Sequence, residues 1–522
     1  MKQPKPLLSK VKKLKKPETG NAETSVTDSV PSSTLSSIAE NFRALEETFG
    51  KDRGLIQATY ELFQGKARVG VAYIKALADI RLISDRIVEP LLRDRCVPRS
   101  YLQQLPDYIQ SHLITVPDTH QISDLPQAIA VLLDGNTVLF IEGADKALVI
   151  GTSKAEKRAI VKPDNEVTIS ADMDTFVEDQ DTNSNLIMKR LPTADLQFET
   201  FTMGRLSHTR VKLVWLKGIA NEKTIAEVRR RLDHIDIDSL DGIGMLASLI
   251  RDRPLSVFPT YKQTQRPDLT AHYLTDGRFG ILCDNSPFTL MGPVTFWDNF
   301  KTMDDYSEST LSATYLRVSR IISFNLAILL SPLYLSFVTF NHSITPPALA
   351  VNIAKGREGV PLPSVLELLI LTFSITIIRE ASVRISGSVG FFIGTLAAVV
   401  IGQASVTAGY VSASVIIVAA ISAIASFAVS TPAMVYTARL TNFFLILLSS
   451  IFGMFGLFNG IVLILWHILT LNSFGMPYLF PLVPFSVEGL KDSIIRAPYS
   501  DLTKRWRLLA PSNRTRINKK KE

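Results

Sequence analysis

SFNLAILLSPLYLSFVTF (323–340), FFIGTLAAVVIGQASVTAGYVSASVIIVAAISAIASFAV (391–429) and FFLILLSSIFGMFGLFNGIVLILW (443–466) decide the fold. Each run is free of charged residues, and all three lie in one apolar block, 321–485. A bilayer core takes about 20 apolar residues per helix, and in lipid only a helix or a closed barrel satisfies its own backbone. These runs lack the period-two alternation of a barrel strand, so the reading is helical. The expected spans are 321–341, 362–381, 386–403, 406–429 and 442–469.

Working outward, the expected organisation is a disordered tail over 1–36, α/β subdomains over 37–195 and 196–310, a membrane domain over 311–488, and a basic tail over 489–522. The fold class is therefore an α-helical polytopic membrane domain preceded by an α/β soluble domain made of two similar subdomains. In the α/β part, SSIAENFRALEETF, IRLISDRIVEPLLRD and SDLPQAIAVLLDG read as helices, and ARVGVAYIKAL, NTVLFIEG and KALVIGT as strands. A comparable order returns in VKLVWLKGIA, EKTIAEVRRRLDHI, RPDLTAHYLTDG, RFGILCDN and PFTLMGP. Ala72 aligns with Val214, Asp134-Gly135 with Asp276-Gly277, Leu139 with Ile281 and Leu148 with Leu290, all at one offset. That common register indicates a duplicated unit, its halves meeting near 190–205. The acidic stretch 169–200 between them reads as a loop.

The chain has 522 residues and net charge +7. Residues 1–36 are Lys-rich, then Ser/Thr/Pro-rich, and cannot bury a core. No apolar core of a secretory signal follows the first lysines, so the α/β part is expected on the cytoplasmic side. The tail from Lys491 is rich in Arg and Lys, which puts it on that side as well. Two cytoplasmic ends require an even number of crossings, whereas five runs are visible. A broken pair in the last run, turning near Asn459-Gly460, gives six and is the preferred reading. A non-spanning 362–381 gives four. Cys96 and Cys283 offer no metal spacing and no disulfide framework, and read as buried thiols.

No phosphate loop, dinucleotide GxGxxG, HExxH or GxSxG elbow is present, so no enzyme is expected. No catalytic, cofactor or metal residues are assigned, and no nucleic-acid partner. Asp172 and Asp174 read as a solvated surface, and His342 and His467 as span ends. The sharper signal is ionisable residues inside the apolar block, which are costly there and tend to line aqueous paths. Glu367, Arg379, Glu380 and Arg384 are the candidates for a gate or ion path. The competing reading is an interfacial salt bridge, since Arg384 follows Glu380 by four residues. Small residues such as Gly387, Gly394, Gly402, Ala408 and Ser412 would let helices or subunits pack closely.

RPDLTAHYLTDGRFGILCDNSPFTLMGPVTFWDNFKTMDDY (266–306) carries a specific resemblance. Arg266-Pro267-Asp268, Gly277-Arg278, Pro287-Phe288 and, near the end, Pro477-Tyr478 resemble motifs of the A-subunit family of spore germinant receptors, the GerA type. The match runs over 212–499. It departs over 177–200, where the family carries a Gly-Pro-Arg-containing, Asn-rich stretch of which Asn185 and Arg190 stand as remnants. The resemblance implies a multi-pass subunit of a nutrient-sensing complex in the spore inner membrane. It implies a permease-like B subunit and a lipoprotein C subunit as partners, homo-oligomerisation, and ion release upon the signal. The SpoVA-associated F-type sister group shares the motifs. A secondary transporter and a membrane-anchored scaffold are the readings from other classes.

Overall fold

The computed structural model describes residues 35–63, 65, 67–93, 105–153, 174–341, 346–384, 402–509 and 512–517. Cys96, Asp172, His342 and most of the expected span 386–403 lie outside these residues. The chain divides into two compact units. One contains Ile56–Tyr73 and Ala78–Ser153, with the chain up to Leu45. The other contains Glu46–Leu55, Ile74–Leu77 and the chain from Lys154 on.

The elements of the α/β part run in order. First come α1 (Ile38–Phe49), β1 (Leu55–Leu62), β2 (Ala67–Ile74), β3 (Thr119–Ile122), α2 (Leu125–Leu133), β4 (Thr137–Ile141) and β5 (Ala147–Ile150). Then follow α3 (Gln180–Arg190), β6 (Leu196–Met203), β7 (Thr209–Leu216), α4 (Glu222–Asp233), α5 (Ile243–Ile250), β8 (Lys262–Thr264), α6 (Pro267–Thr275), β9 (Phe279–Cys283) and β10 (Thr289–Gly292). They form two five-stranded sheets of one topology, β1-β2-β4-β5-β3 and β6-β7-β9-β10-β8. The pairs β2 and β7, α2 and α6, β4 and β9, and β5 and β10 share a single offset at both ends, that between Ala67 and Thr209. The ladders repeat too: Val71 faces Leu139 and Leu139 faces Leu148, as Leu213 faces Ile281 and Ile281 faces Leu290. The central strands β4 and β9 are buried along their whole length, which explains why both read as continuous apolar runs rather than alternations.

The expected loop over 169–200 is corrected in its described part, which holds α3 and the start of β6. Asp179 caps α3 by accepting from Thr182 N at 2.8 Å. Its buried face is largely polar. Gln180 donates to the carbonyls of Arg210 and Leu282, both at 3.1 Å, and Asn183 bonds both backbone groups of Val177. A face buried through hydrogen bonds leaves no apolar periodicity to read.

The helical part begins with α7 (Thr310–Thr339), well before Ile321, and continues with α8 (Pro347–Gly356), α9 (Ser364–Arg384), α10 (Ala413–Phe427) and α11 (Pro432–Leu469). Among the described residues, α7 and α11 are long and apolar enough to cross a membrane. Pro332 inside α7 cannot donate to the carbonyl four residues back, that of Ile328. Asn442 of α11 donates to Ile328 O at 2.9 Å and Ala327 O at 3.0 Å, and Ser422 of α10 donates to Ala327 O at 2.8 Å. Neighbouring helices thus satisfy the backbone that proline frees, as an apolar surrounding demands.

α11 is two arms. Gly453 has φ 60° and ψ −139°, which no helix contains. Beyond it the chain doubles back: a Cβ on Gly460 would stand 2.5 Å from the Leu445 side chain, and one on Gly456 would meet the Leu448 carbonyl. Residues eight apart on a continuous helix stand about 12 Å apart, so the arms are antiparallel. The turn expected near Asn459-Gly460 therefore falls at Gly453, because the later glycines serve close packing of the arms. Both free ends return to one place, Thr437 donating to Val257 O at 2.6 Å and His467 meeting Ser256 at 3.0 Å.

A side chain at Gly453 is strained by the positive φ and meets Phe340 at 2.9 Å. Gly453→Ala is expected to destabilise the full-length protein in detergent by more than about 1 kcal/mol, read as a lowered melting temperature. An unchanged melting temperature would contradict the hairpin.

Candidate functional site

The sequence around β9 and β10 sets up the site. After Gly292 and Pro293, a 3-10 turn, Phe296–Phe300, opens with a capping box: Asp298 accepts from Thr295 N and Thr295 Oγ1, both at 2.8 Å. That fixes the Asp298 carboxylate in the interior, fully buried. Arg278, immediately before β9, donates to its Oδ2 at 2.8 Å and to Pro293 O at 3.1 Å. Lys301 reaches Oδ1 at 3.0 Å. Tyr273 lies under the Arg278 guanidinium at 4.4 Å, and Trp506 faces Lys301 at 4.8 Å.

A second set of charges continues from the first. Arg317, in the second turn of α7, is fully buried and donates to Asp305 at 2.8 Å and to Asp492 at 3.2 Å. Arg320 pairs the other Asp305 oxygen at 2.8 Å and donates to Phe300 O at 3.0 Å. Tyr306 donates to Asp492 at 3.1 Å. Lys301 lies 4.0 Å from Asp492 and joins the two sets. The network thus ties β9, the 296–307 segment, the foot of α7 and the chain after α11 together. Phe296, Phe300, Phe324 and Tyr478 pack beside it edge to face.

Burial and charge compete at each group. Burial works to raise the Asp298 carboxyl, but Arg278, Lys301 and the bonds from Arg278 and Thr295 outweigh it and hold it well below the usual carboxylate range. Burial is likewise outweighed at Asp492, by Lys301 and Arg317. Burial raises the phenols of Tyr273 and Tyr306 and lowers His272. On β9, burial pushes the Cys283 thiol up to about 12, as an inert interior thiol.

His272, Asp276 and Asp492 have ligand atoms within 4.8 Å of one another. The donor set does not suit a metal ion. Arg516 already pairs Asp276 at 3.3 Å, Arg317 and Tyr306 occupy Asp492, and three cations would crowd the ion.

The residues singled out in the sequence fall in several places. Arg278 and Tyr478 enter the cluster, Tyr478 by accepting from Asn299 at 3.3 Å. Arg266 forks onto Asp268 at 2.6 and 3.0 Å beside Pro267, the first residue of α6. Gly277 has φ 93° in the turn into β9, Phe288 follows Pro287 into the core of the second sheet, and Pro477 lies in the short strand Met476–Pro477. Glu367 is buried and accepts from Ser412 N at 2.8 Å, so that it caps α10, with Arg357 at 3.5 Å. Glu380 and Arg384 pair at 2.7 Å on an exposed face of α9. Arg379 turns away and lies over Phe427 at 4.1 Å. Glu367 and the Arg379–Arg384 group therefore sit towards opposite ends of α9. Sequence reading missed Asp298, Lys301, Arg317 and Asp492, and had Asp305 only as part of the motif Asp304-Asp305-Tyr306 that carries the resemblance. The one local signal was charge at the edge of an apolar run.

A buried ion pair that loses one partner costs about 3–5 kcal/mol, whereas an exposed pair contributes about 0–1. Arg317→Met is therefore expected to destabilise the protein by about 3–5 kcal/mol and Arg384→Met by less than about 1, compared by denaturant unfolding in detergent. A second expectation concerns pH. His272 is held neutral by burial among Asp276, Arg516, Asp492 and Lys301. Its folded-state value lies below the unfolded one of about 6.5, so it disfavours the folded state as pH falls through and below that value. Stability should drop from pH 7.5 to 5.5, and His272→Gln should flatten that drop.

With the geometry in hand, comparisons place the chain among known proteins. A family model described as Bacillus/Clostridium GerA spore germination protein matches residues 43–508. Spore germination protein KA of Bacillus subtilis (strain 168) is 34% identical over 484 residues, covering 92% of this chain and 88% of that protein. Spore germination protein GerQA of Bacillus cereus is 31% identical over 491 residues, covering 94% of this chain and 95% of that protein. Among solved structures, the N-terminal domain of the A subunit of the Bacillus megaterium spore germinant receptor GerK3 is 25% identical. It aligns with a TM-score of 0.40, covering 51% of this chain and 98% of that one.

Proposed function

The chain belongs to the GerA family of spore germination proteins, and from that premise we propose that it is the A subunit of a nutrient germinant receptor, converting a germinant signal into ion release. It acts in spore germination, as its relatives' names state of them. The partners in this reading are a permease-like subunit that binds the germinant and a lipoprotein subunit. The location is the spore inner membrane, with the α/β part and the basic tail on the cytoplasmic side.

A polytopic arrangement of the helical part is supported by its apolar exterior. Ile451, Phe452, Phe455, Phe458 and Trp466 stand exposed on the arms of α11, a surface suited to lipid or to further copies of the chain. With Gly453 as a turn, the two arms add a pair of crossings rather than one. No catalytic constellation is part of this reading.

The observation that carries the mechanism is the buried network from Arg278 to Asp305. A partner that displaces the second sheet cannot leave the foot of α7 behind without stranding a buried charge. The signal therefore reaches the bundle as a tilt or shift of α7, biasing two arrangements of the helices. The exposed face of α9 with Glu380 and Arg384 lines the ion path in the assembled oligomer.

The test follows potassium release from spores after nutrient addition, at matched protein levels. Asp492→Asn is expected to delay or abolish release, and Glu380→Gln to change its rate. Native release from the Asp492→Asn spores would contradict the coupling, and native release from the Glu380→Gln spores would remove Glu380 from the path.

A further inference from the structure

Leu255 is 99% exposed, at the tip of a turn between α5 and β8. A single exposed leucine is ordinary, but this one belongs to a fixed apolar edge. Ser256 N donates to Arg253 O at 3.2 Å, and Arg251 donates to Ser256 O at 2.7 Å, so the turn is held in shape. Exposure alternates along it: Ser256 and Phe258 are buried, whereas Leu255 and Val257 project outward. Just before it, the outward face of α5 carries Gly244, Met245, Ser248 and Leu249, with no charge among them. A helix face turned to water ordinarily carries charged or strongly polar residues.

The position of the turn identifies what covers it. Thr437 donates to Val257 O at 2.6 Å, His467 meets Ser256 at 3.0 Å, and Arg253 donates to Thr470 at 3.1 Å. The turn is thus pinned to the free ends of both arms of α11. Successive Cα atoms stand about 3.8 Å apart, so Leu255 lies at the rim of the bundle, level with those ends. The rim is itself apolar and aromatic. Tyr436 and Leu440 on the first arm, and Trp466 and Leu469 on the second, are exposed. Tyr and Trp gather where a spanning helix passes from lipid chains to headgroups, and an exposed cation at that level, here Arg253, is drawn to acidic headgroups. The β6–β7 turn, with Leu206 exposed, is remote from this level: it lies beyond the Val211–Cys283 end of the sheet, whereas Gly292 at the other end leads into the ionic cluster.

We propose that the 253–257 turn dips into the bilayer surface on the side of the α/β part, with Leu255 and Val257 at the acyl boundary and Arg253 among the headgroup phosphates. The segment leads directly into β8, the edge strand of the second sheet. That sheet is therefore seated on lipid as well as on the foot of α7. The inference rests on the membrane reading above.

The test uses the full-length protein in phosphatidylglycerol/phosphatidylcholine nanodiscs, with one fluorescent label at Leu255→Cys. The background is Cys96→Ser, and the interior thiol of Cys283 stays unlabelled. Side chains that enter from the surface reach about 5–10 Å into the headgroup and acyl boundary. Lipids brominated close to the glycerol should therefore remove most of the fluorescence, and lipids brominated at the chain ends little of it. The same label at Leu206→Cys should lose none. A label at Leu463→Cys, exposed midway along the second arm, tests the membrane reading by itself. Quenching at Leu463→Cys with none at Leu255→Cys would overturn this inference and leave the membrane reading standing, and no quenching at either would overturn both. Disulfide linkage between Leu255→Cys chains, with the label unquenched, would assign the edge to a second copy and overturn the lipid contact.

Discussion

Arg317 is a guanidinium with no access to water, held between Asp305 and Asp492. Taking such a charge out of water costs several kcal/mol, and only well-placed carboxylates offset it. The constraint reaches outward from there. Asp305 is positioned by Thr302 and by Arg320, Asp492 by Tyr306 and Lys301, and Lys301 by Asp298. These groups come from the 296–307 segment, the foot of α7 and the chain after α11, and Arg278 beside β9 joins them at Asp298. The foot of α7, the 296–307 segment, β9 and the chain after α11 are therefore bound to one geometry. A pair of apolar side chains at this junction could slide, whereas a fully buried ionic chain has few arrangements in which every charge is met.

The bundle above this junction follows the same logic with neutral groups. Pro332 removes a donor from α7, and Asn442 and Ser422 supply donors from two other helices. Glu367 supplies a carboxylate to the start of α10. These contacts run between helices and not along them, so they set which helices are neighbours. Gly453 then folds α11 back, and its two ends meet the 256–257 segment of the α/β part. The second sheet thus touches the bundle both through the ionic cluster and through the ends of α11.

Much of this was legible in the sequence, for reasons particular to each stretch. The strands β4 and β9 stood out because they are buried on both faces. The duplication was legible because Leu139 and Ile281 hold the same place in ladders of the same register. A break in the last apolar run was legible from its glycines, but not its position, since φ at Gly453 is a property of packing against Phe340. α3 was hidden because Gln180, Asn183 and Ser184 are buried through hydrogen bonds, and periodicity counts only apolar burial. The ionic cluster was hidden for a different reason. Asp492 lies in a stretch that reads as a basic tail, and Arg317 lies just before an apolar run that reads as the start of a span. Their meeting depends on the whole bundle having folded.

Hydrogen exchange on the full-length protein in detergent, followed across 279–283 and 310–320, tests most directly whether sheet and helix form one body. The account predicts that both segments open with the same free energy, and that Arg278→Met lowers the protection of both together. Exchange at the foot of α7 that is independent of β9, before or after that substitution, would contradict it.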